Sequence, residues 1–388
     1  MTLSYSSPSP ASSLFPLQKI SPRPCRRSTV AMCLPKEQPL TFVTKLLWGK
    51  SLPPGILISA VRFSWNSLWL AMMSQLAPSD SKGSYSRPPS KFRLRSPTST
   101  YSLHLYVGIP CPWAHRALIV RALKGLEQYV PISVAQPGKD GAWEFLDEEI
   151  KVNHVISPSC DMANGFRSLR EVYGSRVGGY NGRATVPMLW DTERKDVVCN
   201  ESYDIIEFFN SGLNDFARNP SLDLAPLEKK EEISRWNEII YENVNNGVYR
   251  VGFAQSQEAY DEAVEGLFGT LEKVENHLRS NRYLCGDEIT LADVCLFTTL
   301  IRFDPVYHVL FKCTKKKVVE YPNLYGYLRD IYQIPEVAGT CNMRATMDGY
   351  FGELFPLNPG CIRPVLPFGY ETESLISPHN RWSVGKDS

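Results

Sequence analysis

The stretch around Cys111 constrains this chain more than any other. An alternating apolar run (Leu103, Leu105, Val107) leads into Gly108-Ile-Pro-Cys111-Pro112, and a helix-like run from Ala117 to Leu123 leads out. A strand therefore ends and a helix begins at the thiol. Pro112 suits the first helical position, where its missing N–H has no partner to lose. Unpaired N–H groups at that helix start carry partial positive charge, so they favour a thiolate and predict a lowered cysteine pKa.

Three residues after the thiol stands Ala114, so this is not a Cys-x-x-Cys dithiol. A reactive cysteine without a neighbouring resolving cysteine needs an external thiol, and glutathione is the abundant candidate. The ten cysteines are scattered, with no zinc-type pairs and no dense disulfide pattern. They read as mostly reduced thiols with packing roles, and no metal is expected. Basic and acidic residues, 42 against 41, nearly cancel, so no preference for nucleic acid or another polyanion follows. The run from Gly55 to Ala77 is apolar, but Arg62 interrupts it. The stretch that follows, Phe63–Ser79 with Ser64, Asn66, Ser67, Ser74 and Gln75, is too short and too polar for a membrane span. Val61, Trp65, Leu68, Met72 and Leu76 share one helical face, which is expected to dock on the main body.

The 388 residues allow two domains plus tails. Residues 1–36 are rich in serine and proline, hold five basic residues and have no acidic one. They read as an organelle transit peptide, chloroplast ahead of mitochondrion, with a disordered cytosolic tail as the alternative. Residues 37–100 form an N-terminal extension, whose Ser-, Pro- and Lys/Arg-rich part at 78–100 reads as a linker. An α/β domain is expected over 101–215, an all-helical domain over 226–345, and a C-terminal extension over 346–388 that wraps back over the body. Within the first domain, strands are expected at 101–107 and 129–135 and helices at 112–125 and 165–173. A hairpin follows at 185–190 and 196–199, then a helix at 201–212. Residues 136–165 read as a long insertion without periodicity. Ile289-Thr-Leu-Ala-Asp293-Val294 has the pattern of a capping box with a staple, in which Asp293 reaches back to Thr290.

The order β-α-β-α-β-β-α followed by helices, with the thiol at the first strand–helix junction, resembles the glutathione transferase superfamily. Within it, the motifs resemble glutathionyl-hydroquinone reductases, the Xi class, of the plastid-targeted plant type. They are Cys111-Pro-Trp-Ala-His-Arg116, Gly141-Ala-Trp-Glu-Phe145, Thr185-Val-Pro-Met-Leu-Trp-Asp191 and Asn200-Glu-Ser202 in the first domain. Asn245-Asn-Gly-Val-Tyr-Arg-Val-Gly-Phe-Ala254, Arg302-Phe-Asp-Pro-Val-Tyr307, Tyr321-Pro-Asn-Leu324 and Asn358-Pro-Gly360 follow. The likeness covers about residues 50–370.

The resemblance implies a thioredoxin-like glutathione-binding domain, an all-α domain and a homodimer joined through the helical domain. It implies Cys111 as nucleophile, carrying glutathione as a mixed disulfide, and Tyr249 and Tyr350, with Tyr307 weaker, facing an aromatic quinol. Pro187 falls at the family's cis-proline, so Val186 is expected to pair with the cysteinyl part of glutathione. Glu201 and Ser202 open a helix and suit the γ-glutamyl end, while Trp143 matches a glutathione-contacting tryptophan. Arg183 either meets a glutathione carboxylate or is solvated, and His115 is expected to be structural rather than a base. One departure stands out: Gly349 replaces the basic or histidine residue that the family places before Tyr350. Two other readings stay open on sequence. One is an omega- or dehydroascorbate-reductase-like thioltransferase, and the other is a non-catalytic carrier of glutathione or aromatic ligands.

Overall fold

The computed structural model describes residues 55–94, 102–138, 141–147 and 156–384. The leader at 1–36 and the expected strand position Tyr101 lie outside the described residues. A five-stranded sheet has the order β3-β2-β1-β4-β5, built from β1 (Leu103–Gly108), β2 (Ile132–Pro137), β3 (Trp143–Glu144), β4 (Met188–Asp191) and β5 (Asp196–Cys199). β1 runs parallel to β2, with Leu105 opposite Ile132, and antiparallel to β4, with Tyr106 opposite Met188. The parallel pair needs a crossover, and the helix α2 (Pro112–Lys124) supplies it. Every residue of α2 is buried, and Gly125 ends the helix at φ +66°, where its N–H caps the Ala122 carbonyl.

β3 was not expected. Its two residues lie inside the supposed insertion and pair antiparallel with β2, Pro137 opposite Trp143. Two residues are too few to show a period, so only the tertiary pairing defines this edge.

After α3 (Leu169–Ser175) and the β4–β5 hairpin, α4 (Ser202–Glu207) opens at the edge of the sheet. The helical domain follows with α5 (Lys230–Ile240), α6 (Gly247–Gly252), α7 (Gln257–His277), α8 (Leu291–Arg302), α9 (Pro322–Tyr332) and α10 (Met343–Glu353). α8 is central, since all its residues are buried. Each fully buried Leu, Ile or Phe there contributes about 1.5–3 kcal/mol, which explains a helix apolar on every side. Asp293 does reach back, accepting from the Thr290 N–H at 2.8 Å. The Thr290 hydroxyl donates to the same carboxylate at 2.7 Å, and Leu284 N and Tyr327 Oη add bonds at 2.8 Å each. The box thus also ties α8 to α9.

The C-terminal extension wraps over this domain. Arg381 donates to the carbonyls of Leu278 (2.9 Å) and Asn281 (2.6 Å) just beyond α7, and Tyr370 donates to Leu300 O at 3.2 Å.

The N-terminal extension differs from expectation twice. In α1 (Gly55–Leu76), the expected face docks only in part: Leu68 is exposed, Met72 is half-buried and Leu76 packs on the core. The inward face is Trp69, Met73, Leu76 and Ala77, confined to the last turns. Tethers at that end fix the rotation: Trp69 Nε1 donates to Pro356 O at 3.2 Å and Gln255 Nε2 to Ala77 O at 3.3 Å. Second, residues 79–94 are packed rather than a free linker. Asn200 N donates to Phe92 O at 2.9 Å and Phe92 N to Asn200 Oδ1 at 3.0 Å, while Arg93 forks onto Asp204 with two bonds of 2.7 Å. Among the described residues no helix is long and apolar enough to cross a membrane.

Candidate active site

Cys111 is the residue before the first turn of α2, with extended backbone angles of −73° and 116°. Its half-buried thiol donates to the Val186 carbonyl at 3.4 Å, and the Val186–Pro187 peptide is cis. The ring of Trp143, carried on β3, packs directly on Gly108, where a side chain would collide with it. Cys111, Val186, Pro187 and Trp143 are thus gathered at one end of the sheet.

The thiol departs from the sequence argument. Burial pushes its pKa up, against the N–H groups of Ala114 and Trp113 and the charges of Arg87 and Arg302, which pull it down. The helix end acts as expected, but desolvation outweighs it.

Glu201 is the residue before α4 and accepts from Tyr203 N at 3.3 Å. The Ser202 hydroxyl is buried between the Glu201 carboxylate and Arg116 Nη1, both at 3.4 Å. Arg116 also donates to Asn245 Oδ1 at 2.7 Å, which locks α2 to the helical domain. A cleft of about 260 Å³ opens here, bounded by Arg116, Glu201, Tyr203 and Asn245 among others. Arg183 is exposed, and among the described residues it has no carboxylate partner.

His115 is committed elsewhere. Arg302 Nη1 donates to its Nδ1 at 2.9 Å, so that nitrogen carries no proton. Thr340 Oγ1 spends its own hydrogen on Val337 O (2.7 Å), so His115 Nε2–H donates to it at 2.8 Å. Both ring nitrogens are used, and the imidazole is no base for Cys111. Burial holds its pKa well below the ordinary value, as it does for His104, which drops to about 4. Both rings are therefore neutral in the folded chain where the unfolded chain takes up protons. Their stabilisation is complete above about pH 6.5 and declines as pH falls toward 4, by up to about 1.4 kcal/mol per pH unit for each histidine. The urea midpoint should accordingly be lower at pH 5 than at pH 7, and His104→Gln should reduce the difference. Equal midpoints at the two pH values would contradict this assignment.

Arg302 is a site residue that the residue-by-residue reading missed. It ends α8 in full burial and donates to Ile109 O (2.8 Å), Pro110 O (3.1 Å) and Thr298 O (2.9 Å). Its fork fixes the two residues before Cys111 from the helical domain. The sequence signal was a lone cation closing an otherwise apolar helix.

Three phenols converge beside this junction. Tyr249 Oη lies 2.7 Å from Tyr350 Oη, and Tyr307 Oη lies 3.1 Å from it. Phe253 and Phe311 pack around them, with ring centroids 5.8 Å and 5.3 Å from Tyr249. Burial first, and then the neighbouring groups, raise the Tyr249 and Tyr350 pKa well above the ordinary phenol value. Cys111 is one of the groups acting on Tyr249 and on Tyr307. These hydroxyls keep their protons and sit within electrostatic reach of the thiol. Gly349 lets α10 press on Pro110, and a side chain there would run into that ring. The departure at Gly349 therefore serves close packing against the Cys111 loop.

The arrangement suits thiol chemistry on an aromatic molecule. Family models for the glutathione S-transferase N-terminal and C-terminal domains match residues 110–211 and 257–330. The chain is 41% identical over 321 residues to glutathionyl-hydroquinone reductase PcpF of Sphingobium chlorophenolicum, covering 81% of this chain and 96% of the relative. It is 42% identical over 279 residues to glutathionyl-hydroquinone reductase YqjG of Escherichia coli, covering 72% and 82%. The crystal structure of glutathione S-transferase Xi from Phanerochaete chrysosporium superposes with a TM-score of 0.69 at 37% identity, covering 75% of this chain and 95% of that one. The glutathione-bound structure of YqjG gives 0.66 at 42% identity, covering 72% and 88%.

Proposed function

The chain belongs to the Xi class of the glutathione transferase family, and on that premise we propose that it reduces glutathionyl-hydroquinones through a glutathione mixed disulfide on Cys111. The observation that carries the reading is the junction of a thiol beside Val186 with three protonated phenols.

The Cys111 thiolate attacks the sulfur of the glutathionyl-hydroquinone, and a sulfur–sulfur bond forms as the sulfur–ring bond breaks. The electron pair of the broken bond goes to the ring carbon, which takes a proton from the Tyr249–Tyr350–Tyr307 cluster. A second glutathione, as thiolate, attacks the mixed disulfide, releases oxidised glutathione and restores Cys111. The proton given up by that glutathione replaces the one lost by the phenols. The quinol gains two electrons, and two glutathione sulfurs lose them.

Binding assigns the cysteinyl part of glutathione to Val186, its γ-glutamyl end to Glu201 and Ser202 at the mouth of α4, and its flank to Trp143. A glutathione N–H on the Val186 carbonyl would take the acceptor that the Cys111 thiol uses at 3.4 Å. Losing it removes a bond available only to the protonated sulfur, so substrate binding favours the thiolate. We further propose a homodimer and a plastid destination. The first rests on the resemblance and the second on the acid-free leader; sedimentation of the purified chain and import into isolated plastids test them.

The central test sets glutathionyl-benzoquinol beside dehydroascorbate as substrates. The quinol conjugate should be turned over with one oxidised glutathione per hydroquinone, and faster than dehydroascorbate. Faster turnover of dehydroascorbate, or binding of the conjugate without turnover, would overturn the reading.

A further inference from the structure

Residues 79–94 lie outside both domains of the fold, yet they contact residues that flank the site on three sides: Phe253, Trp113 and the Asn200–Asp204 helix start. At one end the strap is tied to the segment before α7. Gln255 N donates to Gly83 O at 3.0 Å, Ser256 Oγ to Lys82 O at 2.6 Å and Gln255 Nε2 to Ser79 Oγ at 2.8 Å. Gly83 has φ +84° and sits against the Gln255–Ser256 backbone, a place only glycine fills without strain. At the other end Phe92 and Arg93 are fixed to Asn200 and Asp204, flanking Glu201 and Ser202. Between these anchors Tyr85 is buried edge-on against Phe253, with ring centroids 5.4 Å apart, and so joins the wall around Tyr249.

Arg87 stands in the middle. Its guanidinium carbon lies 4.1 Å from the centroid of the Trp113 ring, two residues after Cys111. Arg116 lies 4.4 Å from the same ring but is engaged with Asn245 and Ser202. Arg87 meets no carboxylate among the described residues. A chain that only needed the indole covered would not place a second cation on it, because like charges repel and a desolvated cation costs energy. An anion close by offsets that cost, and the Cys111 sulfur, on which the Arg87 charge acts, can become one.

We propose that Arg87 is a positioning residue for the nucleophile: the strap holds its charge beside Cys111 so that the sulfur is stabilised as thiolate. The charged and titratable groups facing Cys111 are Arg87 from the strap, Arg302 from α8, and the phenols of Tyr249 and Tyr307. Arg302 is spent on carbonyls and the His115 ring, and the phenols keep their protons. Both cations act on the sulfur, but Arg302 is held in place by those bonds to fix the Cys111 loop. Arg87 has no such structural task at the loop, and its charge has the larger effect of the two on the sulfur. The proposal rests on Cys111 being the nucleophile but not on which quinol is reduced.

The test is the rate of Cys111 alkylation by iodoacetamide against pH, read by peptide mass on the full chain. Arg87→Gln should raise the titration midpoint by roughly half to one pH unit, slowing alkylation near pH 7 about threefold to tenfold. Arg87→Lys should recover most of that loss, because charge rather than shape is required. A glutamine variant that titrates with the wild type, or a lysine variant as slow as the glutamine one, would overturn the proposal. A wild-type Cys111 that resists alkylation at every pH would instead overturn the reading of Cys111 as nucleophile. Should Arg87→Gln not yield folded protein, wild-type titrations in low and high salt probe the same charge. Salt should screen this half-buried guanidinium and raise the midpoint, and a salt-independent midpoint would count against the role.

Discussion

Cys111→Ala should abolish reduction of glutathionyl-benzoquinol, with kcat/KM falling by about 10³-fold or more, while the protein stays folded. The two halves of this expectation have different causes. Chemically, Cys111 alone among the described thiols stands immediately before a helix and against the cis Val186–Pro187 peptide. Cys199, Cys285, Cys295 and Cys313 are buried away from that junction, and burial pushes the first two up to about 12. Cys341 sits against His115 and is likewise raised to about 12. Structurally, the Cys111 side chain gives α2 no capping bond, and its contact with Val186 O is a weak sulfur donor at 3.4 Å. Losing it should cost less than about 1 kcal/mol. Intact mass after one equivalent of conjugate, without free glutathione, checks the mechanism directly. Wild-type protein should carry one glutathione and release one hydroquinone, and the alanine variant should do neither. Cys111→Ser should also fail at reduction, since an oxygen cannot form the disulfide that the second glutathione opens. Appreciable turnover by the alanine variant would remove Cys111 from the mechanism.

The elements that the sequence announces are those whose cause is local. The alternation before Gly108 and the apolar run after Pro112 put a strand and a helix on either side of Cys111, and β1 and α2 form there. Asp293 was readable because its partner, the Thr290 N–H, is three residues away. What escaped has its cause far along the chain. β3 is the exception, since its partner Pro137 is only six positions back, but two residues are too few to show a period. Residues 79–94 are held by Asn200, Asp204, Gln255 and Ser256, more than one hundred positions on, through backbone groups that no side-chain period reveals. Arg302 at the end of α8 reads locally as a cation complementing a helix C-terminus, whereas its partners are the carbonyls of Ile109 and Pro110. The lowered thiol pKa failed in the same way. A helix start can be read from four residues, but the desolvation that outweighs it is created by the whole fold. Trp143, Val186, Pro187, Glu201 and Ser202 came from motif likeness, and periodicity alone would have left them among ordinary core and capping residues.

Tyr350→Phe should be the second most damaging substitution, lowering kcat by about 10²-fold while leaving the KM for glutathione within about twofold. Tyr350 is the hub of the phenol cluster, since its hydroxyl contacts both Tyr249 at 2.7 Å and Tyr307 at 3.1 Å. Tyr249 stays closer to solvent than the other two, so it is the phenol best placed to touch an aromatic guest. A proton given up by Tyr249 can be replaced through Tyr350, so loss of either hydroxyl interrupts one path. The double variant Tyr249→Phe/Tyr350→Phe should therefore be far less impaired than the product of the two single effects. Only the carbon–sulfur cleavage needs this proton. In single-turnover experiments release of hydroquinone should slow, whereas opening of a preformed Cys111–glutathione disulfide by glutathione should keep its wild-type rate. The direction of the pKa shifts adds a further constraint. Because burial raises both phenols well above the ordinary value, they stay protonated through pH 10, and activity should show no alkaline decline from their ionisation below that point. Equal slowing of both half-reactions would make the cluster a wall of the pocket rather than a proton source. Wild-type hydroquinone release in the double variant would remove the phenols from the chemistry altogether.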